Sequence, residues 1–384
     1  MRILIATGIF KPELGGPATV ALELAKKLTA SGHAVSVLTY SNAAYFEGDA
    51  ELSFRIIRVT RTKYKLLNYL RYFFVTLREI RKHAVIYTLD WFSVGLPLML
   101  ACIISGKKYI VRVGGGYIWE KYMTEGGQPV TLGEFYAQGL HKNYKLMFFI
   151  IKNVLGRASM VIFNSDIQRE LYATLYNLKP EKITTIYNAT PENKLSSLVQ
   201  SYNDASIERD KEIVYAGRFT KAKNIESLVQ AFALLKDKTF KLLLIGEGEL
   251  MPQLQQQVQT LGLQERVEFL PPMNQSDLYY RIAHCYLVVI PSWTDISPNH
   301  AYECLALGIP VLMTKENYLS IKEQFPVMID PHSSADIAEK LNALLDPQKY
   351  ENYVQGLKRI EFDHPWNRVI EEHLRVFMKI NRTP

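Results

Sequence analysis

Residues 2–40, RILIATGIFKPELGGPATVALELAKKLTASGHAVSVLTY, define the unit from which the rest of the chain is built. An apolar run, RILIATGIF, is followed by the loop KPELGGP, a helical pattern closed by Gly32, and a second apolar run, HAVSVLTY. Short apolar runs that alternate with an amphipathic helix are typical of parallel strands joined by a crossover helix. The stretch therefore predicts a βαβ unit and a parallel sheet.

The same alternation recurs along the chain. The first half has further predicted strands at 84–90, 108–113, 159–165 and 182–188, and the pattern restarts at EIVYAG after a polar stretch that contains Pro191. A chain of 384 residues exceeds what one hydrophobic core usually accommodates. We therefore predict an α/β protein with two Rossmann-like domains. The predicted boundaries are a first domain 1–190, a linker 191–211, a second domain 212–364, and a helix in 365–384 that packs back on the first domain.

The composition is that of an ordinary globular enzyme, with 48% hydrophobic and 22% charged residues. Three cysteines without metal-ligand or redox spacing indicate a reducing cytosol. The N-terminal apolar run is too short for a signal peptide, and residues 94–105 are interrupted by Gly95 and Pro97. We expect a cytoplasmic protein without a membrane-spanning segment.

The charge is divided unevenly between the two halves. Residues 1–190 carry a net charge of +11 and residues 191–384 a net charge of −4. Residues 62–83 and 141–157 combine helical apolar stripes with many Lys and Arg residues. One interpretation is that each stripe packs on the sheet while its basic residues face water. We favour docking of the first domain on an anionic membrane, through the face formed by Leu66, Leu70, Phe73 or Phe74, Leu77 and Ile80 and widened by Tyr64, Tyr69 and Tyr72. No nucleic-acid recognition motif accompanies the charge.

Four loops follow predicted strands, where open α/β sheets bind ligands. The first contains Gly15 and Gly16, which would let backbone amides approach a phosphate. The second, GRFTKAKN, carries Arg218 and Lys223, two cations that suit a diphosphate. The third, GEGEL, contains Gly246. Each has an alternative interpretation as an ordinary turn or a solvated basic loop.

The fourth loop lies in PSWTDISPNHAYECLALGIPV, residues 291–311. Asp295 would stand in the loop and Glu303 about one turn inside a helix that starts after Pro298. A helix N-terminus attracts anions, whereas two carboxylates favour hydroxyl groups. A ligand with both features, such as a phosphorylated sugar, fits this pattern.

The ordered combination of these motifs resembles a known family. GGPATVALELAKKLTASGHAVSVLT, YNAT, GRFTKAKNIESLVQAF, LLLIGEGEL and PSW-D-x7-E-CLALGIPV follow one another as in the retaining glycosyltransferases of family 4. The resemblance covers essentially the whole chain. It implies the GT-B fold, in which two Rossmann-like domains with parallel sheets face each other across a cleft.

The resemblance also implies roles for the matching residues. Arg218 and Lys223 would hold the donor diphosphate, Glu303 the donor ribose and Asp295 the donor sugar, while Gly16 with Gly15 would approach the donor phosphate. Arg218, Lys223 and Asp295 are the candidate catalytic residues. The full donor-binding set adds residues of the glycine-rich and fourth loops and comprises Gly15, Gly16, Arg218, Lys223, Gly246, Asp295, Ser297, Pro298, Asn299 and Glu303.

Two positions depart from the family pattern. Asp295 replaces the usual Glu, so its side chain is one methylene shorter. VRVGGGYIWE has Gly116 where similar sequences carry Asp, which leaves the acceptor base unassigned. Tyr117, Trp119 and Glu120 are the acceptor-side candidates, and each is also compatible with a structural role. His300 lies in the Glu303 helix, where a surface or packing role is favoured over catalysis.

The predicted reaction is transfer of a sugar from a nucleotide diphosphate sugar to a hydroxyl, with retention as the resemblance implies. The acceptor would be lipid-linked or a cell-envelope glycan precursor, met at the inner face of the membrane. No Asp-x-Asp or paired His suggests a metal, and no cofactor is expected. The alternatives are a sugar-nucleotide epimerase of similar fold and a catalytically inactive relative that binds nucleotide sugar.

Overall fold

The protein is represented by a computed structural model that describes residues 1–13, 15–190 and 209–382, apart from the side chain of Arg382. The chain forms two compact units. The first consists of Met1–Tyr117, His141–Ala189 and Trp366–Pro384, and the second of Ile118–Leu140 and Thr190–Pro365.

The first unit is built on a seven-stranded sheet in the order β3-β2-β1-β4-β5-β6-β7, in which every neighbouring pair is parallel. Its strands are β1 (Arg2–Thr7), β2 (Ala34–Ser41), β3 (Arg55–Thr60), β4 (Val85–Thr88), β5 (Ile110–Val113), β6 (Met160–Phe163) and β7 (Ile183–Thr185). The strand order reverses beside β1. The loops after β1 and β4 therefore flank the point where such sheets bind ligands.

Helices cover this sheet. Those before the C-terminal helix are α1 (Gly16–Ala30), α2 (Lys65–Ile80), α3 (Gly95–Ser105), α6 (Lys145–Arg157) and α7 (Asp166–Tyr176), whereas α4 (Tyr117–Thr124), apart from Tyr117, and α5 (Leu132–Ala137) belong to the second unit. Of these, α2, α3 and α6 each precede the next strand in the same direction across the sheet, so right-handed crossovers place them on one face. There, α3 packs against α2 on one side and α6 on the other.

The α2 stripe predicted for membrane contact is divided by the fold. Ile80 and Tyr72 are buried, and Tyr72 donates a hydrogen bond to the Leu38 carbonyl. Leu66, Leu70 and Phe74 are exposed. The predicted face therefore includes residues that pack on the sheet. Tyr72 in particular does not widen the exposed stripe.

The C-terminal helix Trp366–Arg382 packs in the core of the first unit. Val369, Ile370 and Phe377 lie in the same apolar cluster as residues of β1, β2, β4 and α1. The Tyr87 hydroxyl lies 3.0 Å from His373 Nε2, and His373 Nδ1 donates to the Val369 carbonyl within the helix. Apolar packing and a buried polar contact thus hold the end of the chain to the first sheet.

The second unit has a five-stranded parallel sheet in the order β10-β9-β8-β11-β12. Its strands are β8 (Asp210–Ala216), β9 (Lys241–Ile245), β10 (Val267–Leu270), β11 (Cys285–Ile290) and β12 (Val311–Met313). Besides α4 and α5, its helices are α8 (Ile225–Ala233), α9 (Met251–Thr260), α10 (Gln275–Ile282), α11 (Asn299–Ala306), α12 (Ser334–Ala343) and α13 (Pro347–Lys358). The C-terminal helix of the first unit, Trp366–Arg382, is α14. The prediction of two Rossmann-like domains with parallel sheets is confirmed.

The predicted boundaries and the observed units differ at one segment. Ile118–Leu140 belongs to the second unit although it lies within the first half of the sequence. Trp119 is buried there and donates from Nε1 to the Val130 carbonyl at 2.9 Å. Of the predicted linker, residues 191–208 lie outside the described residues, and β8 begins at Asp210.

Candidate active site

The candidate site of the second unit lies where its strand order reverses. Because β8 is flanked by β9 and β11, the loops after these three parallel strands meet at one edge of the sheet. They contain Gly217 and Arg218 after β8, Gly246 after β9, and the stretch from Pro291 after β11. Three of the four predicted loops are therefore neighbours.

The loops after β8 and β9 touch through their backbones. A Cβ on Gly246 would lie 2.0 Å from the Gly217 carbonyl oxygen, and the φ angle of Gly246 is +144°. The Phe219 amide donates to the Glu247 carbonyl at 2.8 Å. Any side chain at position 246 would force the loops apart, so glycine is required for this contact. The contact fixes the backbone beside Arg218, whose own side chain is exposed.

A buried asparagine joins the Lys223 turn to the fourth loop, which follows β11. Asn224 has a left-handed conformation, with φ +55°, and donates from Nδ2 to the carbonyls of Pro291 and Pro331. The Trp293 amide donates to the Ala222 carbonyl at 3.0 Å. These bonds hold the turn Lys221–Lys223 against the loop that carries Asp295. Asn224 was not among the predicted site residues, although an asparagine between a turn and a helix is a usable signal.

Lys223 and Asp295 form an ion pair at the edge of this loop. Their Nζ and Oδ1 atoms are 3.6 Å apart, and the Asp295 side chain is 8% exposed. The Asp295 amide donates to the Glu316 carbonyl, and its own carbonyl accepts from the Tyr318 amide. Burial and then the charge of Asp295 raise the pKa of Tyr215. The carboxylate is thus fixed in position beside one cation.

Glu303 is contacted by the side chains of Gln275 and His300. Gln275 donates from Nε2 to Glu303 Oε1 at 3.1 Å, and His300 Nδ1 lies 3.2 Å from Oε2. The Tyr279 hydroxyl accepts from Gln275 Nε2 at 2.6 Å, and burial followed by the nearby charge of Glu303 raises the pKa of Tyr279. An ionised carboxylate accepts about four hydrogen bonds, which leaves capacity for ligand hydroxyls. Gln275 and Tyr279 were not predicted, and His300 contacts the Glu303 carboxylate.

The helix α11 offers fewer free amides than its sequence suggested. The Asn299 amide donates to the Ser297 carbonyl, and the Ala301 and Tyr302 amides reach the Pro298 carbonyl. Pro298 is the residue before the helix and has no side-chain cap. Arg218 and Lys223 are therefore the stronger candidates for neutralising an anionic ligand in this unit.

The remaining predicted residues lie elsewhere. Gly15 and Gly16 belong to the first unit, where Gly15 precedes α1 with φ +150° and no atom lies within 4 Å of a Cβ on Gly16. Tyr117 also lies there, 37% exposed and stacked on Phe92. Trp119 is buried in the second unit, which favours its structural role, and Glu120 is partly exposed in α4.

The segment Ile118–Leu140 supports the Asp295 loop. The Leu132 amide at the start of α5 donates to Thr294 Oγ1 at 2.8 Å. Glu134 Oε1 lies 3.2 Å from His332 Nε2, and the His332 ring packs edge-on against Trp293. These contacts hold Trp293 and Thr294, the two residues before Asp295, against a segment that is distant in sequence. The linear sequence gives no signal for them.

Neither a metal-ligand cluster nor a membrane-spanning helix occurs among the described residues. Within residues 1–13, 15–190 and 209–382, no three His, Cys, Asp or Glu side chains are grouped to hold a metal ion. No helix in the described part of the chain is long and apolar enough to cross a membrane.

Comparisons with known proteins were made for sequence and structure. The family Glycosyltransferase Family 4 matches residues 14–194, and the family Glycosyl transferases group 1 matches residues 200–357. The chain is 23% identical over 98% of both lengths to an uncharacterized glycosyltransferase of Methanocaldococcus jannaschii. It is 27% identical to the alpha-monoglucosyldiacylglycerol synthase of Streptococcus pneumoniae, over 83% of this chain and 72% of that protein.

The fold has solved counterparts. The crystal structure of Anabaena HepE in complex with UDP and glucose aligns with a TM-score of 0.76, over 99% of this chain and 100% of that chain, at 17% identity. At this identity the likeness shows the fold alone. Together with the two family matches, it shows that the chain belongs to the group 1, family 4 glycosyltransferases of the GT-B fold.

Proposed function

We propose that this glycosyltransferase moves a sugar from a nucleotide diphosphate sugar to a hydroxyl acceptor, with retention and without a metal ion or cofactor. The observation that carries the proposal is the grouping in one unit of two cations and two fixed carboxylates. Arg218 and Lys223 follow β8, while Asp295 and Glu303 follow β11, the neighbouring strand. Cations suit the diphosphate, and carboxylates suit the hydroxyls of the sugar and ribose.

The reaction needs charge stabilisation at the leaving group. The bond between the anomeric carbon and the diphosphate oxygen breaks while the acceptor oxygen forms its bond to that carbon. The acceptor attacks from the face that the diphosphate leaves, which gives retention, and its proton passes to the leaving diphosphate. Preorganised donors such as Arg218 and Lys223 supply about 3–4 kcal/mol each to barriers of this kind.

The acceptor is proposed to be a lipid or lipid-linked glycan of the cell envelope. Two observations support this proposal. The S. pneumoniae relative is named for synthesis on a diacylglycerol, and the first half of the chain carries a net charge of +11. An anionic membrane would attract that half, because each surface Lys or Arg adds about 1 kcal/mol near anionic lipid. We propose that the enzyme works at the cytoplasmic face.

A panel of nucleotide sugars tests the proposal when nucleotide release and sugar isomers are both measured. With donor alone, a transferase releases nucleotide slowly by hydrolysis, an epimerase converts the donor to an isomer, and an inactive relative leaves it unchanged. With a lipid extract added, release should rise and the lipid should gain the sugar. Isomer formation, or binding of a donor without any turnover, would contradict the proposed transfer.

A further inference from the structure

We propose that α2, α3 and α6 form one surface that inserts shallowly into an anionic bilayer, with α3 at its centre. This inference rests on the proposed membrane location and deepens it, because it names the inserting residues and replaces simple electrostatic adsorption with insertion. We call this surface the three-helix surface.

The exposed apolar residues of the protein are concentrated there. In the part of the chain that the structure describes, three large hydrophobic residues of the second unit are exposed, namely Leu234, Leu261 and Tyr280. Ten lie on the three-helix surface: Tyr64, Leu66, Leu67, Leu70, Phe74, Leu100, Ile103, Ile104, Leu146 and Phe149. Isolated exposed apolar residues are normal, whereas such a group on three neighbouring helices marks an interaction site.

The central helix α3 presents an uncharged stripe. Leu100, Ile103 and Ile104 are exposed, at the spacing of one helical face. Its other face, which includes Leu98 and Cys102, is buried in the unit. The helix contains no charged residue, and Lys107 and Lys108 follow immediately after Gly106. Packing in the core thus accounts for the buried face of α3. The exposed face is available for contact with a partner outside the chain.

The surroundings of the stripe are strongly basic. Residues 63–83, 95–108 and 141–157 contain one acidic residue, Glu79, which is 2% exposed and bonded to Arg55 and Lys82. Twelve basic residues in these segments are exposed: Lys63, Lys65, Arg71, Arg78, Arg81, Lys82, Lys107, Lys108, Lys142, Lys145, Lys152 and Arg157. The exposed charge is therefore entirely positive.

This chemistry fits a lipid surface better than a protein partner. Eight of the twelve basic residues are lysines, which are depleted from protein interfaces. Their long stems instead cover apolar surface while the ammonium groups reach the lipid headgroups. An apolar face rimmed by Lys and Arg lies in the interface with its side chains about 5–10 Å deep. The 11 residues of α3 span about 16 Å, too short to cross the bilayer, so the helix would lie in its plane.

Site-specific fluorescence tests insertion. The three native cysteines are buried, and burial raises the thiol pKa of Cys102 and Cys285 to about 12, so an added surface cysteine is labelled selectively. We would attach an environment-sensitive dye at Ile104→Cys or Phe149→Cys, with Leu234→Cys of the second unit as the control. Mixed anionic vesicles should shift the emission of the first two labels to the blue and allow quenching from the lipid tails. The control label should not respond.

A second variant tests the energetic role of the stripe. Ile103→Ser combined with Ile104→Ser should lower the vesicle partition coefficient about tenfold or more and remove the binding that persists at high salt. Leu234→Ser should leave both unchanged. Because the replaced side chains are exposed, circular dichroism should show an intact fold in each variant.

The outcomes distinguish shallow insertion of the three-helix surface from electrostatic docking on the membrane. Cosedimentation with anionic vesicles without a dye shift would overturn insertion and leave electrostatic docking. Absence of cosedimentation would overturn both. A dye shift without vesicles, accompanied by a larger mass on size exclusion, would identify a second copy as the partner and overturn the lipid inference. Nucleotide release measured without vesicles tests glycosyl transfer, and its result does not depend on any of these three outcomes.

Discussion

At the residue scale, Glu303 is the side chain whose surroundings are best defined. Replacement by Gln removes the negative charge that Gln275, His300 and Tyr279 surround. A hydrogen bond to a charged group is worth about 1.5–3 kcal/mol, so Glu303→Gln should weaken donor binding about ten- to hundredfold. Titration calorimetry with the active donor measures this change. Glu265→Gln, at an exposed position of the same unit, is the matched control.

The cations of the site should matter more for turnover than for folding. Arg218 is exposed and Lys223 is 30% exposed at the sheet edge, so neither contributes much to the core. Each change to Ala should lower kcat about a hundredfold, because a preorganised donor to the leaving group is lost. Lys236→Ala, an exposed lysine of the same unit, should have no effect. A large fall in melting temperature with little loss of kcat would assign both residues to structure instead.

At the element scale, the contact between the loops after β8 and β9 depends on glycine. Gly246→Ala places a Cβ 2.0 Å from the Gly217 carbonyl oxygen, which the backbone has to relieve by moving. We expect a loss of at least about 2 kcal/mol in the free energy of unfolding. Gly133→Ala is the control, because a Cβ there meets no atom within 4 Å. Equal denaturation midpoints for the two variants would show that the loops are not in fixed contact.

The segment Ile118–Leu140 should affect the donor site through Thr294. Thr294→Val removes the acceptor of the buried Leu132 amide, at a cost of about 1–3 kcal/mol, and releases the loop beside Asp295. Donor affinity and unfolding free energy should both fall, and Thr294→Ser should restore them. If Ser and Val variants behave alike, the hydroxyl does not hold the loop.

The elements show what the sequence could and could not predict. The apolar runs that became β1, β2, β8, β9 and β11 were predictable, because strands buried on both faces have a continuous apolar pattern. The edge strand β3 was missed, since Arg55 and Arg58 interrupt its pattern and it has one neighbour. Gln275 and Tyr279 lie in α10, and only the fold brings them close to Glu303, whereas His300 stands three residues before Glu303 in the same helix.

At the scale of the whole molecule, the uneven division of charge could be predicted from the sequence. Which apolar residues lie on the surface beside that charge could not. Counting charges showed a basic first half. Burial then separated Ile80 and Tyr72, which pack inward, from Leu66 and Phe74, which face outward. It also revealed α3, whose apolar run had been considered only as a possible span. Amphipathic periodicity does not say which apolar face a core will cover.

Glycosyl transfer is tested most directly by following one reaction by NMR, with the active donor, a lipid acceptor and excess EDTA. The prediction is that donor loss, nucleotide diphosphate release and glycosylated product match in amount, and that the new bond keeps the anomeric configuration of the donor. Lys223→Ala should lower all three rates together, because the cation acts on the leaving group. An inverted product, an isomerised donor without nucleotide release, or activity that requires Mg²⁺ or Mn²⁺ would contradict the metal-free retaining transfer proposed for this site.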